Sequence, residues 1–179
     1  MILVAIGANM PGADGAAPKE NCERALALLQ SDGMAIVARS RWYRSSPWPR
    51  SEQPDYINGV ARIEAHGSPE ALLRRLHAIE ARMGRIRGAP NIARVIDLDL
   101  LAFDRLVRGA RPEDNPTQLQ LPHPHLQDRA FVLFPLSEVA PMWTHPASSR
   151  SVEEMIADLA EGHDCSPIEN PMNKAPKFP

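Results

Sequence analysis

A single α+β domain, one central sheet with helices on both faces, is the fold class this chain predicts. Four short runs have strand periodicity, amphipathic segments with helix start and stop signals lie between them, and the strand-to-strand separations are long enough to hold those helices. Ile2–Ala8 is a continuous apolar run that leaves into a loop at Gly7-Ala8-Asn9, as a buried strand does. Residues 10–18, rich in Gly, Ala and Pro, are that loop. Ala25, Leu26, Leu28 and Leu29 set a helical stripe over residues 19–31, and Asp32-Gly33 ends it. Residues 34–43 alternate with β-branched positions and form a second strand. Residues 44–54, with three prolines, are an irregular loop, and residues 56–65 are a third strand antiparallel to the second.

Ser68-Pro69-Glu70 opens a helix: serine suits the N-cap, proline the first position, and glutamate the positive end of the dipole. Leu72, Leu73, Leu76, Ile79 and Met83 carry its apolar face, and Gly84 suits its C-terminal cap. Residues 95–103 are the fourth strand. Residues 104–121 are a polar excursion with room for a small hairpin. Residues 126–139 form a helix bent near Pro135, and residues 151–160 a last amphipathic helix. Prolines 167, 171, 176 and 179 argue against regular structure in residues 165–179. The expected division is a domain over 1–162 and a mobile proline-rich tail over 163–179.

Composition bounds the function. The chain has 179 residues, 44% hydrophobic and 23% charged, as a globular domain does, and a net charge of −2. No global basic field exists, so nucleic acid is not an expected partner. Cys22 and Cys165, alone and far apart, make neither a disulfide framework nor a zinc site. No apolar run approaches the roughly 20 residues of a membrane helix, and the N-terminus has no basic leader region. A cytoplasmic monomer acting on small molecules is the expectation.

The chemistry concentrates in Arg94-Val95-Ile96-Asp97-Leu98-Asp99-Leu100-Leu101. Residues two apart on a strand share a face, so Asp97 and Asp99 project together with about 7 Å between their Cα atoms, while Ile96, Leu98 and Leu100 turn to the core. Paired carboxylates suit Mg²⁺, which completes its shell with substrate phosphates. Arg85, Arg87 and Arg94 lie just upstream, and planar guanidiniums bind phosphate oxygens in pairs. The segment reads as a phosphoryl- or pyrophosphoryl-transfer site. The same pair also suits another Mg²⁺-dependent, nucleotide-using transferase; a degenerate binding module without turnover is the other alternative, supported only by the stretch Pro90-Asn91-Ile92-Ala93.

Six blocks in order make the chain similar to the 6-hydroxymethyl-7,8-dihydropterin pyrophosphokinases of folate biosynthesis over residues 2–141. They are Ile6-Gly7-Ala8-Asn9; Tyr43-Arg44-Ser45-Ser46-Pro47; Gln53-Pro54-Asp55-Tyr56-Ile57-Asn58; Ile79-Glu80 with Gly84-Arg85-Ile86-Arg87 and the aspartate strand; Leu121-Pro122-His123-Pro124-His125; and Arg129-Ala130-Phe131-Val132-Leu133-Phe134-Pro135-Leu136. The resemblance implies a ferredoxin-like, four-stranded, mainly antiparallel sheet covered by helices on both faces. It implies transfer of pyrophosphate from ATP to the pterin hydroxymethyl group, releasing AMP, with two Mg²⁺ ions on the phosphates. On the residues it implies metal binding by Asp97 and Asp99, catalytic roles for both and for Arg85, Arg87 and Arg94, and ATP contacts from His77, Glu80, Arg85, Arg94, His123 and Arg129. It implies a pterin site of Ser45, Pro47, Trp48, Tyr56, Asn58 and Phe131. Three departures stand out. Residues 90–93 read Pro-Asn-Ile-Ala where the family carries a Trp that helps seal the site, leaving Trp48 or Trp42 as replacements. His77 stands where the family commonly has Gln. The chain beyond Pro141 does not match.

Overall fold

The computed structural model describes residues 1–48, 50–85, 93–109, 119–160, 162 and 164–169. Their elements are, in order, β1 (Ile2–Ala8), α1 (Pro18–Ser31), β2 (Ala35–Arg39), β3 (Tyr43–Ser45), β4 (Tyr56–Glu64), α2 (Pro69–Arg82), β5 (Asp97–Phe103), α3 (Ala130–Val139), α4 (Val152–Ala157) and β6 (Cys165–Pro167). The sheet runs β5-β1-β4-β3-β6, and β2 also pairs with β4. Every pairing is antiparallel. The βαββαβ core, with β1 between β5 and β4, is the ferredoxin-like arrangement.

The described sheet has six strands, not the four expected, for two physical reasons. The second strand is broken: β2 and β3 both pair along one edge of β4, and the register slips by one residue between Ile36 and Ala38 and by one more before Tyr43. At the break, Ser40 Oγ accepts the Val60 amide at 3.0 Å and Trp42 drops into the core. The other addition is β6, in a segment expected to lack regular structure. It pairs with β3, Tyr43 opposite Pro167 and Ser45 opposite Cys165. The amide bonds from Ser46 to Asp164 and from Ile168 to Trp42 alternate with those positions, so Pro167 sits at a non-hydrogen-bonded place on an edge strand, where its missing N–H costs nothing.

Two apolar layers cover the sheet. On one face Ile6, Ala61, Leu98 and Leu100 meet Leu26 and Leu29 of α1 and Leu72, Leu76 and Ile79 of α2. On the other Leu3, Val60 and Leu101 meet Val132, Leu133 and Leu136 of α3 and Met155 of α4. The helix signals hold where their chemistry is local. Ser68 Oγ accepts the Ala71 amide at 3.3 Å, and Gly84, at φ 86°, turns the chain so that the Arg85 amide reaches back to the Glu80 carbonyl at 3.0 Å. The third helix begins at Ala130 rather than at 126, because residues before it turn back, the Leu126 amide bonding the His123 carbonyl at 3.0 Å. No helix among the described residues is long and apolar enough to cross a membrane.

Trp42 lies flat against Gly59: a Cβ there would stand 2.7 Å from the indole. Gly59→Ala is therefore expected to lower stability by about 1–3 kcal/mol through overpacking. Urea unfolding followed by Trp fluorescence checks this, and an unshifted midpoint contradicts it.

Candidate active site

Register places the functional groups in rows across the face that also carries α3. Asp97 lies opposite Gly7, and Gly7 opposite Asn58; one step along, Asp99 lies opposite Ala5, and Ala5 opposite Val60. Directly paired residues share a face. A floor of two small residues therefore separates the carboxylate pair from Asn58, two strand spacings or about 10 Å away. Gly7 is small for a reason: a Cβ there would come within 3.0 Å of Asn58 Oδ1. Above the floor opens a cleft of about 460 Å³.

Around the carboxylates the cleft is strongly charged. Arg94 and Arg85 both pair with Asp97, the latter at 2.5 Å, and Arg85 also bonds Glu80. Burial, and next the Asp97 charge, push the Asp99 carboxyl up from the ordinary carboxylate range, while Arg129 and Arg94 pull it back. Burial alone would lower the Arg94 guanidinium, yet Asp97 holds it raised. Arg129, at the entrance of α3, lies over the Phe131 ring at 5.6 Å, a cation–π contact that fixes both side chains at the cleft wall. Burial and the Arg129 charge bring His123 down to about 4, so its imidazole is neutral near pH 7. Its Nδ1 accepts the His125 amide at 3.2 Å, which leaves the ring proton on Nε2 as a donor.

At the other end, Asn58 is buried and donates from Nδ2 to Ser45 Oγ at 2.9 Å. The Tyr56 hydroxyl donates to Gln53 Oε1 at 3.2 Å. Pro47 is buried, and Trp48 is 47% exposed at the mouth. A buried amide joins the two ends. Asn9 Oδ1 accepts the Arg94 amide at 2.7 Å, while its Nδ2 donates to Gln53 Oε1 and the Pro54 carbonyl, each at 3.2 Å.

Of the residues singled out in the sequence, Ser45, Pro47, Trp48, Tyr56, Asn58, Arg85, Arg94, Asp97, Asp99, His123, Arg129 and Phe131 all line this one cleft. His77 and Glu80 are absent from its described lining. Glu80 is 1% exposed and sits behind β5, where Oε1 accepts the Leu98 amide at 2.7 Å and the Arg85 guanidinium. Burial pushes its carboxyl up, and those two donors oppose the rise. It therefore braces the strand between the two aspartates and aims Arg85. Trp42, in the opposite core layer, is excluded as a replacement for the family's sealing Trp, whereas Trp48 lines the cleft. Arg87 and residues 90–92 lie outside the described residues. Sequence reasoning assigned no role to Asn9, Gln53 or His125, although each stands in a quoted block; their parts depend on which loops meet.

Comparison with known proteins agrees with this geometry. Residues 3–141 match the family described as 7,8-dihydro-6-hydroxymethylpterin-pyrophosphokinase. The chain is 38% identical over 151 residues to a 2-amino-4-hydroxy-6-hydroxymethyldihydropteridine pyrophosphokinase of Synechocystis, covering 83% of this chain and 71% of the relative. A Pseudomonas aeruginosa protein of the same name is 38% identical over 157 residues, 87% of this chain and 90% of the relative. One from Methylorubrum extorquens is 40% identical over 132 residues, 74% and 78% of the two chains. With that match spanning most of the chain and the cleft assembled from the same blocks, the chain belongs to the 7,8-dihydro-6-hydroxymethylpterin-pyrophosphokinase family.

Proposed function

We propose that this pyrophosphokinase works across the Asp97–Gly7–Asn58 row, with the ATP triphosphate over the carboxylates and the pterin over Asn58. The observation that carries the reading is that row: one floor, a carboxylate pair at one end and a buried amide at the other. In the transfer the pterin hydroxymethyl oxygen bonds to the β-phosphorus, the bond from that phosphorus to the α-bridging oxygen breaks, AMP leaves, and the hydroxyl proton is released.

Asp97 and Asp99 are the residues that would hold Mg²⁺, two ions being expected. Their hard oxygens, and the burial and neighbouring Asp97 charge that raise Asp99, fit a divalent cation. Bound Mg²⁺ would neutralise the triphosphate and polarise the β-phosphorus. Arg85 and Arg94 already stand on Asp97, so phosphate oxygens can take them over as the carboxylate turns to a cation. Arg129 and the neutral His123 donate to phosphate oxygens from the α3 side. A pterin edge mixes donors and acceptors, and the Asn58 amide offers both. Tyr56 and Phe131 wall the ring and Trp48 covers the mouth. Glu80 acts through Arg85. Two uncrosslinked cysteines fit a reducing cytoplasm, and a net charge of −2 fits small-molecule substrates rather than nucleic acid; a monomer is part of the same reading.

Asp97→Ala and Asp99→Ala should each cut AMP formation from ATP, Mg²⁺ and the hydroxymethyl dihydropterin by about 10²-fold or more, as the loss of a charge-stabilising group does. Wild-type turnover in either variant at ordinary Mg²⁺ sinks the assignment. A second expectation concerns pH. His123 titrates at about 4 in the folded chain against an ordinary 6.5, so folding favours its neutral form. Its contribution to stability is complete above pH 6.5 and is lost as pH falls through 4. In metal-free buffer, His123→Gln should flatten the loss of urea resistance between pH 6.5 and 4; an unchanged slope contradicts the buried neutral imidazole.

A further inference from the structure

Beyond the span that matches the family, one segment reaches the active site. We propose that β6, with Asp164 before it and Ile168 after it, is a strap that sets the shape of the pterin pocket and so tunes affinity for the pterin ring; this rests on the pterin-side reading of Ser45 and Trp48 given above.

The strap is bound at both ends to the strand that feeds the pocket. At one end the Ser46 amide donates to the Asp164 carbonyl and Ser46 Oγ to Asp164 Oδ2, each at 3.2 Å. At the other the Ile168 amide donates to the Trp42 carbonyl at 2.7 Å, and the Ile168 side chain packs against the core layer that holds Trp42. Alternation along an antiparallel ladder makes Arg44 and Ser166, midway between those two pairs, a hydrogen-bonded pair as well. The chain of β3 passes from these bonds into Ser45, whose Oγ receives Asn58, and then into buried Pro47 and Trp48 at the cleft.

The strap also closes the far side of the pocket wall. Asp164 and Cys165 meet Ser45, Pro47, Trp48 and Phe131 around a void of only about 10 Å³, too tight for a ligand. The pterin-side loop is thus pressed between the cleft in front and the strap behind. A three-residue strand such as β3 has few bonds of its own, and with β4 on one side and β6 on the other it becomes a central strand. Without β6 its outer edge, and the loop after it, would move more freely. A loose wall weakens ring binding while leaving Asp97 and Asp99 of β5, and Arg85 and Arg94 in the segment between α2 and β5, untouched, because among the described residues β6 pairs with β3 alone.

The test uses the full chain with Ser166→Pro, which deletes a ladder donor, and Asp164→Ala, which deletes the side-chain tie to Ser46. The pterin KM should rise about tenfold in Ser166→Pro and less in Asp164→Ala, with the ATP KM changed by less than about twofold and the melting transition retained. Ser151→Ala, which removes the α4 cap, serves as a control that lowers stability away from the cleft and should leave both KM values alone. Equal rises in the two KM values, no rise in either variant, or failure of both variants to fold overturns the strap. Quenching of Trp48 fluorescence by the pterin, identified by its loss in Trp48→Phe, tests the underlying reading separately: if wild-type emission ignores the pterin, the pterin-side assignment falls and the strap with it, whereas quenching with unchanged KM values removes the strap alone.

Discussion

Slide β1 by one residue against either neighbour and the carboxylates and Asn58 would point to opposite faces of the sheet, because side-chain direction alternates with period two. The register of Gly7 against both Asp97 and Asn58 is thus the constraint behind the site. It is enforced by burial: the same slip would turn Val4 and Ile6 out of one apolar layer. An extra residue at Leu101 resets the pairing between β1 and β5, so a strand that is acidic at one end is apolar again two residues later. Polar floor and packed core share three strands without mixing.

The charges on that floor are held by one another. Taking a carboxylate out of water is costly unless it is paired and hydrogen-bonded. Asp97 has Arg85 and Arg94; Glu80 has Arg85 and the Leu98 amide. The cluster contributes less to net stability than its number of pairs suggests, since desolvation offsets the attraction. Its value is positional. A guanidinium already desolvated and aimed loses little freedom when a phosphate replaces its carboxylate partner, and such preorganisation is where electrostatic catalysis gains most.

What was legible in the sequence follows the range of the physics. Ile2–Ala8 and the start of α2 depend on local burial and capping, and both were read to the residue or nearly so. The Asp97/Asp99 face needed only the strand period. The break between β2 and β3 was not legible, because it rests on Ser40 bonding Val60 and on Trp42 finding room over Gly59, both contacts across the sheet. The burial of Glu80 was not legible, since helical position alone does not say which strand lies over it. Pro167 counted against a strand, yet the rule applies to hydrogen-bonded or central positions and not to the place it occupies.

The buried amide of Asn9 has a thermodynamic consequence. One planar group touches the backbone that positions Arg94 and the loop of Gln53 and Pro54 beside Tyr56. A rotation of that plane that improved one set of bonds would strain the other, so the two sets of bonds are coupled through Asn9. A ligand that immobilised one half through this amide would remove part of the ordering entropy that a ligand in the other half would otherwise lose, in equal measure for either order of arrival.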